Sequence, residues 1–345
     1  ERANSLHGGK PPCHGLDCLD WAQNRLLADG IVEIQDAWID PGMTEVYLES
    51  ARLGRLRVSA NLAFRADPLT WQADLPYFET VRKAVLELNH PLLRVNAMKF
   101  FVDGVLGSST ASVLEPYVAG PSAHGHGEQV WKRDELLAAA QSANRVGYQL
   151  HLHAIGDAAV RTALDIIEAV HPFTPAVIAH TELVADSDVP RFAKLNVTAN
   201  FEPLWAREDG QLMSCVPQVG RKRIDSMYRM RDLHDAGARI SFGSDWPVSN
   251  PAALLGLATA VNRSLADGET WTGEQALSTL ESLKAYTLGS GFQMNPRANY
   301  GTLTIGQAAE FVVLSANPFE VSNRDLFKIR VVAISTPANP LLSSL

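Results

Sequence analysis

The amino-acid sequence predicts an α/β protein built as a (β/α) barrel, and three observations carry that prediction. Short β-rich segments alternate with helical segments along the chain, which is the pattern of βαβ units and a parallel sheet. The 345 residues suit about two average domains, or one barrel of ~250 residues with a small appendage. Apolar residues make up 46% and charged residues 20% of the chain, which is the balance of a globular protein.

Seven segments are predicted to be strands, because each is a short and mostly apolar run typical of parallel strands buried on both faces. In chain order they are residues 31–34, 56–62, 98–102, 149–153, 176–179, 197–201 and 240–242. Helices are predicted between strands at 78–88, 134–144 and 157–170, the last with Asp157 as its N-cap. Strands of such regularity are interpreted as one barrel rather than two unrelated domains.

The two ends of the chain differ from its middle. Residues 1–20 are rich in Gly, Pro and Cys and are predicted to be an irregular lead-in. Residues 21–292 are assigned to the barrel, which ends in a helix around 277–288. Residues 293–345 are assigned to a partial β-sandwich and a tail, with a turn and a strand within 300–314.

Composition and missing motifs exclude several functions. The net charge of −8 argues against nucleic acid and anionic membranes as partners. Without an apolar run of ~18 residues, the chain is expected to be soluble and is assigned to the cytoplasm. Three cysteines are too few for a disulfide framework, and no P-loop, GxGxxG or GxSxG motif is present. The expected partner is a small molecule, and the sequence leaves open whether the chain forms a homo-oligomer.

Residues able to bind a metal ion or move protons follow almost every predicted strand. In parallel α/β folds the C-terminal ends of the strands build the active site. Histidines on two consecutive strands and an aspartate after the last strand predict a metal-dependent hydrolase. The residues at these ends are Asp36, Lys99, Asp103, Gly104, His151, His153, Asp157, His180, Glu182, Glu202, Asp245 and Trp246.

Each of these residues also has a structural interpretation. His153 taken alone fits a core histidine as well as a metal ligand, and the same holds for His180. Asp245 could cap the turn that follows it. Lys99 is harder to explain in this way, because a lysine inside a buried strand is costly unless it is paired or modified. Four such coincidences on four strands favour a functional site.

His151 and His153 form a His-x-His pair whose side chains point to the same face of a strand. Either could reach a metal ion, and His153 is preferred because it lies nearer the end of the strand. Trp205 and Trp246 could form pocket walls or pack the barrel.

Four motifs resemble the amidohydrolase superfamily: MKFFVDGVLGSSTA at 98–111, HLHAIGDAAV at 151–160, IAHTELV at 178–184 and ISFGSDWPVS at 240–249. The resemblance is to amidohydrolase family 3, the N-substituted formamide deformylase-like metal-dependent hydrolases, and it extends over about residues 22–320. It implies a (β/α)8 TIM-type barrel with a small β-sandwich and an active site at the C-terminal strand ends.

The resemblance implies roles for four residues. Lys99 would be the strand-four lysine, which is carbamylated in some members and then bridges two metals. His153 and His180 would be metal ligands on strands five and six. Asp245 would be the strand-eight aspartate, which binds the metal weakly and handles the proton.

The implied cofactor is one or two divalent metal ions, with zinc preferred. Such an ion lowers the pKa of bound water toward ~7, and the resulting hydroxide attacks an amide-type carbonyl. Asp245 would accept the proton and pass it to the leaving nitrogen. Asp103 and Trp246 are assigned to substrate binding, and carbamylation would remove the buried positive charge of Lys99.

One departure from the family pattern concerns strand one, where members carry a His-x-His motif in a stretch such as GFIDxHxH. Here the first predicted strand, GIVEIQD, corresponds to strand two. The chain is therefore expected to show seven strands, to bind metal poorly and to be nearly inactive, either as the C-terminal part of a longer enzyme or as a natural variant. Beyond Val332 it is expected to lack a final sandwich strand.

The leading hypothesis is a metal-dependent amidohydrolase that acts on an amide or formamide C–N bond of a small molecule. One alternative is a metal-free barrel glycosidase with Glu182 and Glu202 as its paired carboxylates. Another is a degenerate barrel that serves as a binding module. The missing His-x-His favours the binding module, whereas the retained lysine, histidines and aspartate count against it.

Overall fold

The computed structural model of the protein describes residues 15–264, 268–296, 301–336 and 339–343. Its largest sheet has seven parallel strands, each beside the next one along the chain. The sheet curls into an open barrel with helices between strands, which confirms the predicted α/β barrel architecture. The strands are β1 (Glu33–Ile39), β2 (Ser59–Arg65), β3 (Leu93–Phe101), β4 (Gln149–Ala154), β5 (Val177–His180), β6 (Thr198–Phe201) and β7 (Arg239–Phe242).

The register of neighbouring strands decides which side chains stand side by side. Lys99 of β3 pairs with His151 of β4, and Phe101 pairs with His153. His180, the last residue of β5, pairs with Ala154 of β4. Because paired residues in a parallel sheet share a face, Lys99 and His151 lie next to each other inside the barrel.

Strand β3 is longer than predicted, since it begins at Leu93 rather than at Met98. The added residues alternate in polarity, and apolar Val95 and Ala97 are buried. Arg94 points to the other face, where it pairs with Glu33. A polar residue at every second position concealed the strand, because the prediction sought continuous apolar runs.

Helices cover the outside of the barrel, and none of those in the described residues is long and apolar enough to cross a membrane. The three predicted helices are found at Trp71–Leu88, Arg133–Arg145 and Asp157–Val170, here α3, α4 and α5. The other α-helices are α1 (Leu16–Ala28), α2 (Thr44–Arg52), α6 (Val189–Lys194), α7 (Gly210–Met213), α8 (Val216–Val219), α9 (Arg221–Ile224), α10 (Met230–Asp235), α11 (Ala253–Asn262), α12 (Thr279–Lys284) and α13 (Ser290–Met294), with a π-helical turn at Ala285–Gly289 between α12 and α13.

The prediction that Asp157 is the N-cap of α5 is wrong. Gly156 is the N-cap, and Asp157 is the first helical residue. The Asp157 carboxylate instead accepts a hydrogen bond from the backbone N–H of Leu114 at 2.8 Å. A Cβ at Gly156 would lie 1.9 Å from the carbonyl oxygen of Ser112, so this close approach of two backbones requires glycine.

Both chain ends are more regular than expected. Helix α1 begins at Leu16, within the segment predicted to be irregular, because its apolar face buries Leu26 and Leu27; residues 1–14 of that segment lie outside the described residues. A second, antiparallel sheet contains β8 (Phe311–Leu314), β9 (Val331–Thr336) and β10 (Asn339–Ser343). The expectation that no strand follows Val332 is therefore wrong. Ile334 of β9 is buried against Leu26 and Leu27, which explains why this segment forms a strand.

A buried polar network joins distant strands through Gln293 of α13. The Gln293 side-chain amide donates to Gln35 of β1 at 2.8 Å and accepts from Ser241 of β7. Its backbone carbonyl accepts from Gln149 of β4 at 3.0 Å. We call these four residues the Gln293 network. They tie three strands of the open barrel to a single helical residue.

Candidate active site

A cavity of about 1420 Å³ includes the C-terminal ends of the barrel strands in its wall. Five of the six residues predicted from the sequence to form the site line this cavity, namely Lys99, His153, His180, Asp245 and Trp246. The first four come from β3, β4, β5 and the loop after β7, and we call them the strand-end site. Four separate segments thus bring titratable groups to one cavity.

His180 is held in place by a carboxylate and an aromatic ring. Its Nδ1 lies 3.0 Å from Oε2 of Glu202, which follows β6. The Trp205 ring stacks on the imidazole at 5.7 Å between centroids and 4° between planes. Burial alone would lower the pKa of His180, but the charge and hydrogen bond of Glu202 raise it above the usual value. Glu202 therefore orients His180 and stabilises its charged form.

His153 presents a ring nitrogen without a partner. Its Nε2 lies 3.0 Å from the carbonyl oxygen of Gly104, which assigns the proton to Nε2 and the lone pair to Nδ1. Nδ1 is buried and has no hydrogen-bond partner among the described residues. Burial, with the charges of His180 and Lys99, holds the pKa of His153 well below its usual value. The rings of His153 and His180 are 4.5 Å apart, so a neutral imidazole with a free lone pair faces the second histidine.

Lys99 is only 3% exposed, and in the described part of the chain no carboxylate lies within 4.0 Å of its ammonium group. Its Nζ sits 5.2 Å from the centre of the Phe101 ring. Burial lowers the pKa of Lys99 to about 8, although Asp245 and Glu202 oppose the shift. A neutral amine is therefore accessible to this side chain near neutral pH.

Asp245 lies in the loop after β7 with its backbone in the left-handed region, at φ 50°. Its backbone carbonyl accepts from Val248 at 2.7 Å and closes the turn, whereas its carboxylate makes no hydrogen bond to the described residues. Burial raises the pKa of Asp245, with His180 opposing and Glu202 reinforcing the shift. The carboxylate is thus free to exchange a proton with a ligand.

Asp103 is not part of the cavity wall, but its Oδ1 lies 3.5 Å from Nε2 of His153, behind that wall residue. Its fully buried carboxylate accepts hydrogen bonds from the backbone N–H groups of Ser112, Ile155 and Gly156 at 2.9–3.1 Å. Burial raises the pKa of Asp103 to about 7, against the effect of these three donors. Asp103 therefore joins the loop after β3 to the loop after β4.

The two tryptophans that the sequence left open both line the cavity. Trp246 stacks on Trp21 of α1 at 5.7 Å, and Trp205 stacks on His180. Each therefore packs against a neighbour and forms part of the wall at the same time.

Glu182 and Tyr228 form a second pair in the cavity wall that was not assigned to the main site. Glu182 follows β5 and is buried, and its backbone carbonyl accepts a hydrogen bond from the backbone N–H of Tyr228 at 2.9 Å. Burial raises the pKa of Glu182 to about 8, with His180 opposing and Glu202 adding to the shift. Arg263 donates to the backbone carbonyls of Met227 and Tyr228, both at 3.4 Å, and so fixes the loop. The sequence carries no pattern that predicts Tyr228, whose segment has no periodicity.

The strand-end site offers imidazole nitrogens that could bind a metal ion. The free Nδ1 of His153 beside His180 is the donor chemistry that zinc prefers. However, no group of three or more His, Cys, Asp or Glu side chains in the described ranges is arranged to hold a metal ion. The described residues therefore offer suitable donors but not a complete metal site.

Comparisons with known proteins identify the family of the chain. A model of the amidohydrolase family matches residues 15–334. The chain is 27% identical over 297 residues to Protein LONG AFTER FAR-RED 3 of Arabidopsis thaliana, covering 84% of this chain and 49% of that protein. It is 24% identical over 323 residues to the N-substituted formamide deformylase of Arthrobacter pascens, covering 92% of this chain and 58% of the relative.

Solved structures show the same fold. An uncharacterized metal-dependent hydrolase from Pyrococcus horikoshii OT3 superposes with a TM-score of 0.77 at 28% identity, over 89% of this chain and 61% of that chain. The chain spans about half the length of the curated relatives it matches. The family predicted from the four motifs is confirmed, since the family model covers nearly the whole chain: this protein belongs to the amidohydrolase family.

Proposed function

We propose that this protein hydrolyses an amide or formamide C–N bond of a small molecule. The observation that carries the proposal is the convergence of Lys99, His153, His180 and Asp245 on one large cavity at the strand ends. Family membership supports a hydrolase, and a relative named N-substituted formamide deformylase supports an amide-type substrate. In this reaction water adds to the carbonyl carbon, the C–N bond breaks, and a proton ends on the amine.

The chain's own residues account for the movement of that proton. Asp245 has an accessible carboxylate without hydrogen bonds and a raised pKa, which suit a group that takes a proton from water and delivers it to the leaving nitrogen. Glu202 holds His180 in one orientation toward the cavity. The backbone of Asp245 is fixed by its turn with Val248, so the carboxylate stays near the reacting atoms.

For the cofactor we propose zinc, because two of the candidate donors are imidazoles. When bound, such an ion supplies an acidified water molecule. His153 and His180 are the side chains that would contact it. Among the described residues, no group of three or more donors is arranged to hold such an ion. Lys99, with its lowered pKa, is the residue for which we propose carbamylation.

The test uses the full chain and a panel of N-substituted formamides and simple amides, with release of free amine as the measurement. Release is expected to be slow, in line with the low activity predicted from the sequence, to rise on addition of zinc and to fall at least ~100-fold in Asp245→Asn. The matched control is Asp186→Asn, a carboxylate that is 95% exposed and lies outside the cavity wall. Absence of amine release with and without zinc contradicts the proposal, and so does equal release by Asp245→Asn.

A further inference from the structure

Three side chains of β4 face the inside of the barrel at successive levels. Gln149, His151 and His153 alternate along the strand, so all three point to the same face. His153 belongs to the strand-end site, whereas Gln149 donates to the backbone carbonyl of Gln293 at 3.0 Å. At a rise of about 3.3 Å per residue, His151 lies about 7 Å below His153, toward the start of the strand. His151 therefore stands between the strand-end site and the Gln293 network.

The side chain of His151 is buried without a partner. It lines the cavity and is 3% exposed. Neither of its ring nitrogens has a hydrogen-bond partner among the described residues. Buried polar groups are nearly always hydrogen-bonded, and an unmade bond costs free energy at each open atom. The two open nitrogens therefore indicate that a group from outside the chain binds at His151.

A second open group lines the same deep part of the cavity. Gln35 of β1 belongs to the cavity wall, and its Oε1 accepts from Gln293 at 2.8 Å. The Nε2 of Gln35 is buried and has no partner in the described ranges. Because Gln293 bonds both Gln35 and Gln149, this open amide belongs to the floor of the cavity, next to the level of His151. We call His151 and Gln35 the inner pocket.

The open atoms of the inner pocket define the group that would complete them. An imidazole in its ordinary uncharged form has one N–H donor and one lone pair, and Nε2 of Gln35 adds a second donor. A carboxylate only accepts and leaves the lone pair open, whereas an ammonium group only donates and leaves both donors open. A primary carboxamide offers its carbonyl oxygen to the donors and an amide N–H to the lone pair.

The charges of the cavity wall also favour a neutral group over an anion. Eight carboxylic acids and a single lysine, Lys99, belong to the wall formed by the described residues, and no arginine does. A wall of this composition repels anions. The acids are Asp29, Glu33, Asp36, Glu182, Glu202, Asp209, Asp245 and Glu310.

From these observations we infer that the amine part of the substrate ends in a neutral carboxamide, which His151 binds above the open amide of Gln35. This inference rests on the proposed C–N hydrolysis at the strand-end site. An extended chain advances about 3.3–3.6 Å for every three bonds, so the ~7 Å between the levels of His153 and His151 corresponds to about six bonds. N-formyl-δ-aminovaleramide has this spacing between its two carbonyl carbons.

The experiment compares N-formyl-δ-aminovaleramide with two analogues of equal length, in which an isopropyl group or a carboxylate replaces the carboxamide. Binding to the full chain is measured by calorimetry with and without zinc, and release of free amine is measured in parallel. The carboxamide is expected to bind at least about tenfold more tightly than the isopropyl analogue, because two or more net hydrogen bonds form. The carboxylate, and N-formylglycinamide as a carboxamide too short to reach the inner pocket, should bind no more tightly than the isopropyl analogue.

Variants of His151 assign the preference to this side chain. His151→Leu removes both ring nitrogens and is expected to bind the carboxamide and the isopropyl analogue equally, and its unchanged affinity for the isopropyl analogue shows that the cavity is intact. His151→Gln keeps a donor and an acceptor and is expected to retain a preference for the carboxamide. His171→Gln, at an exposed helix end, is the matched control and is expected to behave as the unmodified chain.

The outcomes separate this inference from the proposed reaction. Equal affinity for the carboxamide and the isopropyl analogue would mean that water alone satisfies His151, and would overturn the inference. Tighter binding of the carboxylate, a preference that persists in His151→Leu, or loss of the preference on addition of zinc would overturn it as well. Preferential binding of the carboxamide without amine release supports the inference and contradicts the proposed reaction. Amine release with equal binding of all three compounds supports the reaction and contradicts the inference.

Discussion

Two polar regions lie inside the same barrel, and they are satisfied to very different degrees. In the Gln293 network, both ends of the Gln293 amide and its backbone carbonyl have partners on β1, β7 and β4, although Nε2 of Gln35 has none among the described residues. In and below the strand-end site, His151 has none and His153 keeps a free Nδ1. Satisfied buried polar groups hold a structure together, whereas unsatisfied ones cost stability unless a ligand completes them. The contrast separates a structural region from a functional one.

The largest effect is expected where a free group is removed from the strand-end site. Asp245→Asn should lower the rate of amine release by at least ~100-fold, because proton transfer is lost. Its stability to urea should stay within ~0.5 kcal/mol of the unmodified chain, since the carboxylate makes no hydrogen bond to the described residues. A large loss of stability would place Asp245 with the structural region and break the comparison.

The opposite result is expected for the Gln293 network. Gln293→Leu leaves the side-chain oxygen of Gln35 without a donor and removes the acceptor of the Ser241 hydroxyl, to which only Asn200 still donates. The loss of both contacts should lower the free energy of unfolding by about 2–4 kcal/mol. Urea denaturation measures the loss, and the rate of amine release per folded molecule should be preserved. Gln129→Leu, at an exposed position, is the control with little expected change. An unchanged stability of Gln293→Leu would show that the network is not structural.

The pH dependence of the unfolding free energy distinguishes two carboxyl groups, one at Glu281 in the structural region and one at Glu182 in the cavity wall. A bidentate contact with Arg231 and a hydrogen bond from Ser278 lower the pKa of Glu281 to about 2, so this acid stabilises the fold above its usual pKa. Glu281→Gln should cost about 1–2 kcal/mol at pH 7, and the difference should fade as the pH falls below 4.5 toward 2. Urea denaturation at several pH values measures this dependence. Glu49→Gln, on an exposed helix face, is the control with little expected change in stability.

Glu182 should behave in the opposite way. Because its pKa is raised to about 8, the folded protein binds its proton more tightly than the unfolded chain, and stability falls as the pH rises from 4.5 to 8. Glu182→Gln should remove this decline and be no less stable than the unmodified chain at pH 8. A Glu182→Gln variant that loses stability at every pH would show that the carboxyl is a structural group.

The smallest effect is expected from zinc. At tenfold excess over its dissociation constant, zinc should stabilise the chain by about 1.4 kcal/mol in thermal unfolding. His153→Asn should abolish the shift, because it removes the free Nδ1. His171→Asn, at an exposed helix end, should leave it intact. Equal shifts in both variants would mean that zinc binds elsewhere.

The fold was largely predictable because apolar periodicity records burial. All seven barrel strands were anticipated from runs such as 149–153, and α5 from its apolar face. Strand β9 was missed although Ile334 is fully buried, since its partner residues lie in α1, more than 300 positions earlier in the chain. Local patterns carry no information on such distant contacts.

For the site, the sequence identified residues on strands better than residues in loops. Lys99, His153, His180 and Asp245 all line one cavity, as the common edge of parallel strands leads one to expect. Asp103 was assigned to substrate, but three backbone donors enclose its carboxylate, and loop contacts of this kind have no sequence pattern. Tyr228 enters the cavity from an irregular segment with φ 54°, which no periodicity describes.

The contact between α1 and β9 has a consequence for synthesis on the ribosome. Leu26 and Leu27 are covered in the folded protein by Ile334, so part of their shelter does not exist until residue 334 has been translated. At about 5–20 residues per second, roughly 15–60 s separate these events. During that interval α1 exposes part of its apolar face to solvent or to chaperones. The cluster of Leu26, Leu27 and Ile334 is therefore completed late in synthesis, and until then these apolar side chains are partly available for aggregation.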